Sequence, residues 1–380
     1  MLLKNARIID DNFDIVEADI LIEGEFIKKI APHGEINDVC FSETIDLTGK
    51  LIMPGFVDIH IHGCAGSDTG DATPEALATM SNYLVAHGVT SFCPTSMTVS
   101  NEELRKIFKN VAECKKNGLP GAYIRGINME GPYIAMSKKG AQRADQVRKP
   151  DIAEIRSLNE VAEGLIKLID IAPEVEGADE FIKELNDEFT ISLAHSNATY
   201  DEAVKAFDLG IAHATHLFNQ MNGLTHRAPG AVGAIFDSDK VTAEIICDGF
   251  HIHPASLRIA FKQLGEDRTC VISDSLMAAG CPDGMYELGG QPVTVKDGKA
   301  FMPDGAIAAS TANLQLEFRN IISYGIPFRQ AIKSCTINPA REIKADKEVG
   351  SIKEGKYADL QVVGEDYIAE MVFVKGKRIV

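Results

Sequence analysis

Short runs in which apolar and polar residues roughly alternate occupy both ends of the chain and are typical of β-strands. Near the N-terminus these runs lie at 2–9, 18–22 and 26–30, with turn residues between them. The C-terminal residues 357–363 and 371–380 have the same pattern. An isolated hairpin is only marginally stable in water. We therefore expect both ends to pack into one small β-sandwich domain, formed by residues 1–52 and 346–380.

Residues 53–345 alternate between strand-like and helix-like patterns. Eight buried runs predict strands, at 55–62, 90–95, 123–130, 165–171, 189–195, 211–216, 241–247 and 269–274. Helix-start signals lie between several of them, namely Thr73 before Pro74 and capping boxes that begin at Ser100 and Thr199. This alternation predicts an α/β fold, a (β/α)8 TIM barrel. A doubly wound open sheet is the alternative, but no GxGxxG sequence follows the first strand.

Histidines and carboxylates fall at the strand ends where a barrel of this kind carries its chemistry. His60 and His62 lie two residues apart on the first strand, so both side chains project from the same face. The third, fifth, sixth and eighth strands end in Glu130, His195, His216 and Asp274. One such histidine alone is more often a structural residue, whereas six placements at one barrel mouth predict a metal site. Imidazole and carboxylate ligands suit zinc, iron, manganese and cobalt.

A metal site of this composition indicates a reaction class. A divalent metal lowers the pKa of bound water from about 15.7 to about 7 and so gives hydroxide at neutral pH. A carboxylate beside that water can take its proton and pass it to a leaving group. We expect Asp274, at the end of the last strand, to have this role. The site therefore predicts hydrolysis of an amide or a related bond.

Composition and charge exclude some partners. The 380 residues are 45% hydrophobic and 24% charged, as in an ordinary globular protein. A net charge of -17 with no basic stripe disfavours nucleic acid but not a small anionic molecule. No apolar run reaches the roughly 18–20 residues that span a membrane, and no signal peptide is recognisable. The eight cysteines lack CxxC spacing, which predicts reduced thiols in a cytoplasmic protein.

Several segments resemble the motifs of a known family. Residues 54–63, PGFVDIHIHG, are similar to the opening motif of the amidohydrolase superfamily. Within it, the resemblance narrows to the N-acetylglucosamine-6-phosphate deacetylase family through EGP at 130–132, AHSNA at 194–198, THLFNQM at 215–221, HRAPG at 226–230, DGFH at 248–251, YELGG at 286–290 and NPA at 338–340. These segments follow one another over nearly the whole chain.

The resemblance implies hydrolysis of the N-acetyl group of N-acetyl-D-glucosamine 6-phosphate to D-glucosamine 6-phosphate and acetate, in amino-sugar catabolism. It implies that Glu130, His195 and His216 bind one divalent metal. His60 and His62 match the additional pair of members that bind two metals, with Glu130 bridging. Because both imidazoles are present, we expect two metals per subunit, with zinc or iron first and manganese or cobalt as alternatives.

The resemblance also implies roles for the remaining site residues. Asp274 matches the general base and acid that serves a metal-bound hydroxide, and the resemblance implies that it also contacts the metal of Glu130, His195 and His216. The positions that match substrate contacts are Ala141, Gln142, Asn219, Gln220, Arg227, Asp248, His251, Ile307, Ala308 and Ala309. A homodimer is implied, in which Arg227 reaches the phosphosugar in the neighbouring active site. Gln142, Gln220 and Ala309 depart from the common pattern, which has histidine in some members, a small residue and glycine at these positions.

Three other functions stay open. Deacetylation of N-acetylgalactosamine 6-phosphate differs by the inversion of one hydroxyl, which the sequence does not resolve. Cyclic-amide hydrolases of the same superfamily commonly carry a carboxylated lysine on the fourth strand, but the strand at 165–171 has no lysine at its end. A non-catalytic barrel would be marked by the loss of ligands, and no ligand position is lost.

Overall fold

A computed structural model describes residues 1–36, 41 and 43–380 of the chain. Its strands are β1 (Leu2–Ile9), β2 (Ile15–Glu23), β3 (Phe26–Ala31), β4 (Thr44–Asp46), β5 (Leu51–Pro54), β6 (Phe56–Ile61), β7 (Gly63–Cys64), β8 (Ser67–Asp68), β9 (Val89–Ser96), β10 (Tyr123–Ile124), β11 (Ile127–Tyr133), β12 (Ile166–Ile171), β13 (Thr190–Leu193), β14 (His213–Ala214), β15 (Thr242–Ile245), β16 (Thr269–Val271), β17 (Gly284–Leu288), β18 (Gln291–Lys296), β19 (Lys299–Phe301), β20 (Leu360–Val363), β21 (Ala369–Val374) and β22 (Lys377–Arg378).

The helices of the same residues are α1 (Pro74–Ala86), α2 (Asn101–Asn117), α3 (Ile152–Val161), α4 (Ala178–Leu185), α5 (Tyr200–Leu209), α6 (Gly230–Asp237), α7 (Pro254–Leu264), α8 (Leu314–Ser323), α9 (Phe328–Cys335) and α10 (Ile337–Glu342). Short 3-10 turns occur at Thr69–Asp71, Met136–Lys138 and Ala144–Gln146.

Eight parallel strands form a barrel, and they correspond to the eight strands predicted from the sequence. Their order is β6-β9-β11-β12-β13-β14-β15-β16, with β10 pairing along β9. The last strand returns to the first at the mouth, where the Asp274 N–H donates to the His60 carbonyl oxygen at 2.9 Å. Since strand order follows chain order around the ring, the fold is the predicted TIM barrel and not an open sheet.

Local sequence explains where the outer helices begin. The Thr73 hydroxyl accepts the Ala76 N–H at the start of α1, and Pro74 occupies the first helical position. Both predicted capping boxes form, at Ser100 before α2 and at Thr199 before α5. Each box satisfies N–H groups that the first helical turn leaves without partners. The caps therefore determine where α1, α2 and α5 begin.

The two ends of the chain share one sheet. Its order is β22-β21-β20-β5-β1-β2-β3, and β4 also pairs with β1. The antiparallel pairing of β20 with β5 joins the C-terminal strands to the N-terminal ones. A separate apolar core that includes Leu3, Ile20, Ile52, Leu360 and Phe373 lies within this sheet region.

Arg125, between β10 and β11, links the barrel to the C-terminal segment. Its guanidinium lies 2.8 Å from Glu348 Oε2 and 2.9 Å from Asp359 Oδ2. It also donates to the Ser91 hydroxyl at 3.0 Å and packs against the ring of Tyr357. The strand that follows this arginine carries Glu130 into the mouth of the barrel, so the link anchors a strand of the site.

A three-stranded antiparallel sheet, β17-β18-β19, is inserted between β16 and α8. It contacts the barrel mouth through Gln291, whose side-chain amide donates to the Ala141 carbonyl at 2.5 Å. Among the described cysteines none forms a disulfide. Within the described part of the chain, no helix has both the length and the apolar character needed to cross a lipid bilayer.

Candidate active site

Six side chains converge at the carboxyl ends of the barrel strands. Their potential ligand atoms form two groups, and within each group the atoms lie within 4.8 Å of one another. The groups are His60, His62 and Asp274, and Glu130, His195 and His216. All six residues are buried, and the most exposed is Asp274 at 7%. The structure thus brings together all six residues that were expected to bind metal.

Glu130 lies between the two groups. Its Oε1 is 3.0 Å from His195 Nε2 and 3.1 Å from His216 Nε2. Its Oε2 is 3.2 Å from His62 Nε2, and that nitrogen is 3.4 Å from Asp274 Oδ1. Two donors held by one tetrahedral ion at about 2.1 Å are about 3.4 Å apart. The spacing therefore suits shared metal ligation, with Glu130 placed to contact both groups.

Each of the four imidazoles points Nε2 into the site and forms a hydrogen bond through Nδ1 on its other side. For His62, His195 and His216 the acceptors are the backbone oxygens of Thr95, Lys138 and Asn219, at 3.3, 2.7 and 3.2 Å. His60 differs, because its Nδ1 is 2.9 Å from a carboxylate oxygen of Glu244. These bonds place the proton on Nδ1 and leave the Nε2 lone pair directed at the site.

The carboxylates and imidazoles of the site shift one another's pKa values toward the charged forms. Burial raises the pKa of Glu130, but the three imidazoles that face it outweigh burial and hold the pKa well below its usual range. Burial likewise raises the pKa of Asp274, and His60 and His62 lower it below the ordinary value. Burial lowers the pKa of His62, whereas Asp274 and Glu130 raise it to about 10. The ionised carboxylates therefore attract positive charge, supplied by protons or by a cation.

Three of the six residues have a left-handed backbone, namely His195, His216 and Asp274, with φ of 44°, 29° and 43°. Each follows the end of its strand, where the chain turns out of the barrel. A non-glycine residue in such a conformation costs on the order of 1–3 kcal/mol, and such residues cluster at functional sites. Histidine and aspartate are among the side chains that adopt it most readily. Half of the six candidate metal ligands thus have a backbone conformation that is uncommon for residues other than glycine.

A cavity of about 250 Å³ opens above the two groups. It is lined by seven of the residues predicted to contact substrate, namely Ala141, Gln142, Asn219, Gln220, His251, Ile307 and Ala309. The other three, Arg227, Asp248 and Ala308, are not part of its lining. The predicted catalytic carboxylate, Asp274, lies in the cavity wall beside His62.

Comparison with known sequences decides the family. The sequence model of the amidohydrolase family matches residues 51–379. The chain belongs to the amidohydrolase family.

Amidohydrolases similar to this one have named activities. The chain is 35% identical to the N-acetylglucosamine-6-phosphate deacetylase of Vibrio furnissii, over 89% of this chain and 85% of the relative. It is 33% identical to the N-acetylgalactosamine-6-phosphate deacetylase of Escherichia coli O157:H7, over 86% and 87% of the two chains. A solved mutant of the N-acetyl-D-glucosamine-6-phosphate deacetylase of Mycobacterium smegmatis, in complex with N-acetyl-D-glucosamine-6-phosphate, matches with a TM-score of 0.93 and 30% identity, over 100% and 99% of the chains.

Membership of the amidohydrolase family implies a divalent metal, and the residues present fit one. His60 Nε2 is fully buried and has no hydrogen-bond partner among the described residues. It lies 3.7 Å from both Glu130 Oε1 and Asp274 Oδ1. A buried polar atom without a partner is costly, and a cation between these three atoms would remove that cost. The donor set of imidazoles and carboxylates is also one that zinc and iron accept.

Gln142 contacts a ligand of this amidohydrolase site. Its side-chain N–H donates to Glu130 Oε2 at 2.5 Å, and its oxygen accepts the Thr98 N–H at 2.6 Å. The amide is thus fixed at both ends next to the carboxylate. Asp248, in turn, accepts from His251 Nδ1 at 2.7 Å and orients that imidazole toward the cavity. Asp248 thus acts behind the lining and not in it.

Arg227 does not line the cavity of its own subunit. It lies on an exposed loop after the sixth barrel strand. Leu224 on the same loop is 54% exposed. Nearby, Phe218, Phe236 and Ile259 line a separate apolar groove together with Leu224. The position of Arg227 leaves its guanidinium available to another molecule.

Sequence reasoning missed several residues of the site. Met97 and Leu288 line the cavity but are apolar, so no chemical signal marked them. Glu244 was missed and His213 was given no role, although both are fully buried ionisable residues on barrel strands. A lone carboxylate within the apolar run around residue 244 was the available signal.

A third group of metal-binding residue types lies at the amino-terminal ends of β14 and β16. It consists of His213, Cys270 and Glu342. Both ring nitrogens of His213 already have partners, at 2.6 Å from the Thr242 hydroxyl and 3.3 Å from Glu244 Oε1. Burial raises the pKa of the Cys270 thiol well above its ordinary value, which disfavours the thiolate that a metal needs. This group is therefore better explained by hydrogen bonding than by metal binding.

Proposed function

We propose that this amidohydrolase hydrolyses the N-acetyl group of N-acetyl-D-glucosamine 6-phosphate. The products are D-glucosamine 6-phosphate and acetate, and the reaction belongs to amino-sugar catabolism. The observation that carries the proposal is the barrel mouth, where two groups of metal-binding residues lie beneath a cavity and Glu130 of one group is 3.2 Å from His62 of the other. The similarity to deacetylases over most of the chain supports this substrate class.

The proposal includes two divalent metals per subunit, with zinc or iron preferred and manganese or cobalt as alternatives. Glu130, His195 and His216 would hold one metal, and His60, His62 and Asp274 the other, with Glu130 bridging. A bound metal of this kind lowers the pKa of water and polarises a carbonyl group. Proton transfer and substrate binding are proposed to be carried out by side chains of the protein.

Asp274 is proposed to move the proton. Its carboxylate is ionised at neutral pH, because His60 and His62 lower its pKa. It can accept a proton from the water that adds to the acetyl carbon and then deliver that proton to the nitrogen as the C–N bond breaks. Water and amide are consumed, and acetate and amine are formed, so no further reactant is needed.

The cavity lining is proposed to hold the sugar. Asn219, Gln220 and His251 offer polar contacts, whereas Ala141, Ile307, Ala308 and Ala309 provide a close-fitting wall or its support. Gln142 contacts Glu130 and is proposed to orient the acetyl carbonyl of the substrate as well. Its amide N–H is an uncharged donor, in contrast to a protonated histidine.

A homodimer is proposed, in which Arg227 binds the phosphate in the partner's site. The exposed position of Arg227 beside an apolar groove supports this arrangement, since exposed apolar patches mark protein interfaces. Mixing two inactive variants, Arg227→Ala and Asp274→Asn, tests it. Mixed dimers would contain one intact site and recover part of the activity. No recovery after verified subunit exchange would contradict the shared site.

The activity itself is tested by acetate release from N-acetyl-D-glucosamine 6-phosphate by purified protein. N-acetyl-D-galactosamine 6-phosphate is the matched comparison, because the chain is nearly as similar to a deacetylase of that sugar as to the glucosamine enzyme. A higher kcat/KM for the galactosamine substrate would reassign the specificity. Absence of acetate from both substrates with metal present would refute deacetylation.

Two further assignments stay proposals. We propose that residues 1–52 and 346–380 constitute the small β-domain and residues 53–345 the catalytic barrel. We also propose a cytoplasmic location, which the unpaired thiols of the described cysteines support. Limited proteolysis at the proposed boundaries and cell fractionation are the respective tests.

A further inference from the structure

Glu244, on β15, is a fully buried carboxylate inside the barrel. Its Oε2 is 2.9 Å from His60 Nδ1 and accepts the backbone N–H of His216 at 3.3 Å. Its Oε1 is 3.3 Å from His213 Nε2. A buried charge is costly unless it is paired and hydrogen-bonded. Glu244 therefore has a specific set of partners, and two of them belong to the metal-binding groups.

His60 stands out among the four imidazoles of the site. The Nδ1 atoms of the other three lie against backbone carbonyl oxygens, which accept a hydrogen bond and never donate one. His60 Nδ1 instead contacts the side chain of Glu244, so the orientation of His60 depends on a side chain that mutation can change. Its Nε2 has no partner among the described residues, although it faces Glu130 and Asp274.

We propose that Glu244 is a positioning residue that holds His60 with its proton on Nδ1 and its Nε2 lone pair directed at the metal. This inference rests on the proposed function, because it assumes a metal at His60, His62 and Asp274. Through the His216 N–H, the same carboxylate also fixes the backbone at a left-handed residue of the second group. One buried side chain thereby supports residues of both groups.

His213 explains how the charge of Glu244 is tolerated. The Thr242 hydroxyl donates to the Ala212 carbonyl at 3.2 Å, so its oxygen is left to accept from His213 Nδ1 at 2.6 Å. With Nε2 facing Glu244, His213 donates from both nitrogens and is an imidazolium. Glu342 Oε2 lies 3.3 Å from the same Nδ1. The buried carboxylate is thus balanced on the side away from the metal.

The isosteric change Glu244→Gln tests the inference, because an amide has one acceptor oxygen in place of two. The N–H of the His213 imidazolium would claim that oxygen. The NH2 group would then face His60 Nδ1 and drive the proton of His60 to Nε2, which blocks ligation. We expect metal affinity at the His60 group to fall about 10–100-fold, as for other lost supports of metal ligands, while the Glu130 group keeps its metal.

The readout is Zn²⁺ binding to chelator-treated protein, measured with a competing indicator and no substrate. Glu317→Gln is the control, since Glu317 is also a fully buried glutamate but its side chain forms no hydrogen bond with a residue of either metal-binding group. The control should keep both affinities of the wild type. Unchanged Zn²⁺ affinities in Glu244→Gln would overturn the inference.

A double-mutant cycle separates positioning from a general structural effect. If Glu244 acts through His60, Glu244→Gln should weaken Zn²⁺ binding little further in a His60→Asn background, whereas additive losses contradict positioning. Glu244→Gln with His213→Leu should regain most of the affinity, because the amide oxygen is then free for His60. If the single variant does not fold, Glu244→Leu with His213→Leu carries the test, because leucine offers His60 Nδ1 no acceptor. Zn²⁺ should then bind about 10–100-fold more weakly than to Glu244→Gln with His213→Leu, and equal binding by the two double variants overturns the inference.

Acetate release by the wild type is measured separately. If the wild type releases no acetate but Zn²⁺ binding depends on Glu244 as described, deacetylation fails and positioning stands. If acetate is released but Glu244→Gln binds Zn²⁺ like the wild type, positioning fails and deacetylation stands. If His60→Asn leaves the Zn²⁺ stoichiometry of the wild type unchanged, no metal depends on His60 and positioning is overturned.

Discussion

Replacing Arg125 with methionine removes the buried cation that joins the barrel to the C-terminal segment, while the apolar stem is retained. The guanidinium is almost completely buried, with 5% of the side chain exposed. Its partner Asp359 is equally buried and also accepts the Lys375 N–H at 2.6 Å. After the substitution, this carboxylate would be left in the interior with the Lys375 backbone N–H as donor and without the guanidinium that pairs with it, although the charge of Lys375 still acts on it.

The magnitude follows from the two ion pairs of Arg125. Removing one partner of a buried pair costs about 3–5 kcal/mol, because the other charge stays desolvated. Glu348 is 57% exposed, so the loss of that second pair adds at most about 1 kcal/mol. With an unfolding entropy of about 2.1 cal/mol/K per residue, this total loss of about 3–6 kcal/mol lowers the melting temperature of a chain of this length by about 4–8 °C.

Circular dichroism during thermal and urea unfolding measures this effect. Arg329→Met is the matched control, because Arg329 is 45% exposed and also has two acidic partners. We expect the control to change the free energy of unfolding by less than about 1 kcal/mol. The double variant Arg125→Met with Asp359→Asn should recover much of the loss, since the charge is then gone.

The destabilisation caused by Arg125→Met should also depend on pH. Burial raises the pKa of Asp359 even with Arg125 opposite. Losing the arginine raises that pKa further, so acidification neutralises the unpaired carboxyl and the destabilisation should shrink as the pH falls. A loss under about 1 kcal/mol at neutral pH, or no recovery in the double variant, would refute this account of the link.

Three other predictions concern the site. Asp274→Asn should lower kcat for acetate release about 10²–10⁴-fold while the metal of Glu130, His195 and His216 stays bound, and near-normal turnover with that metal present would exclude Asp274 as the base. Replacing both His60 and His62 with asparagine should lower the metal content by one ion per chain without unfolding; elemental analysis and circular dichroism check this, and unchanged content contradicts the two-metal site. Burial lowers the pKa of His213, but two neighbouring carboxylates raise it to about 10, so its stabilisation is complete below an unfolded pKa of about 6.5 and is lost as the pH rises through about 10. The difference in unfolding free energy between wild type and His213→Gln, from urea titrations, should therefore decrease toward alkaline pH, and a difference that is independent of pH contradicts the imidazolium.

The barrel and the six converging residues could be predicted because local rules determine them. Capping boxes place helix starts through contacts only three residues apart, as at Ser100. Alternation on a strand places His60 and His62 on one face. Parallel strands in a barrel then bring their carboxyl ends together, whatever lies between them in sequence.

The contacts of Glu244 could not be predicted in this way. It meets His60 across 184 residues of sequence, and only closure of the barrel creates that pair. The strands also end earlier than the apolar runs suggest, with β14 limited to His213–Ala214 within the predicted 211–216. The left-handed backbone at His216 explains the early end, and no side-chain pattern signals such a turn.

The left-handed backbone at His195, His216 and Asp274 restricts which amino acids mutation can introduce there. Asparagine, aspartate and glycine fit that geometry, whereas valine, isoleucine and threonine would be strained by both side chain and backbone. Libraries limited to asparagine, aspartate and glycine at these positions should therefore yield mostly folded proteins, and those that lack a native ligand should have lost the reaction. A barrel of this kind can thus lose its chemistry by single steps and persist as a folded scaffold.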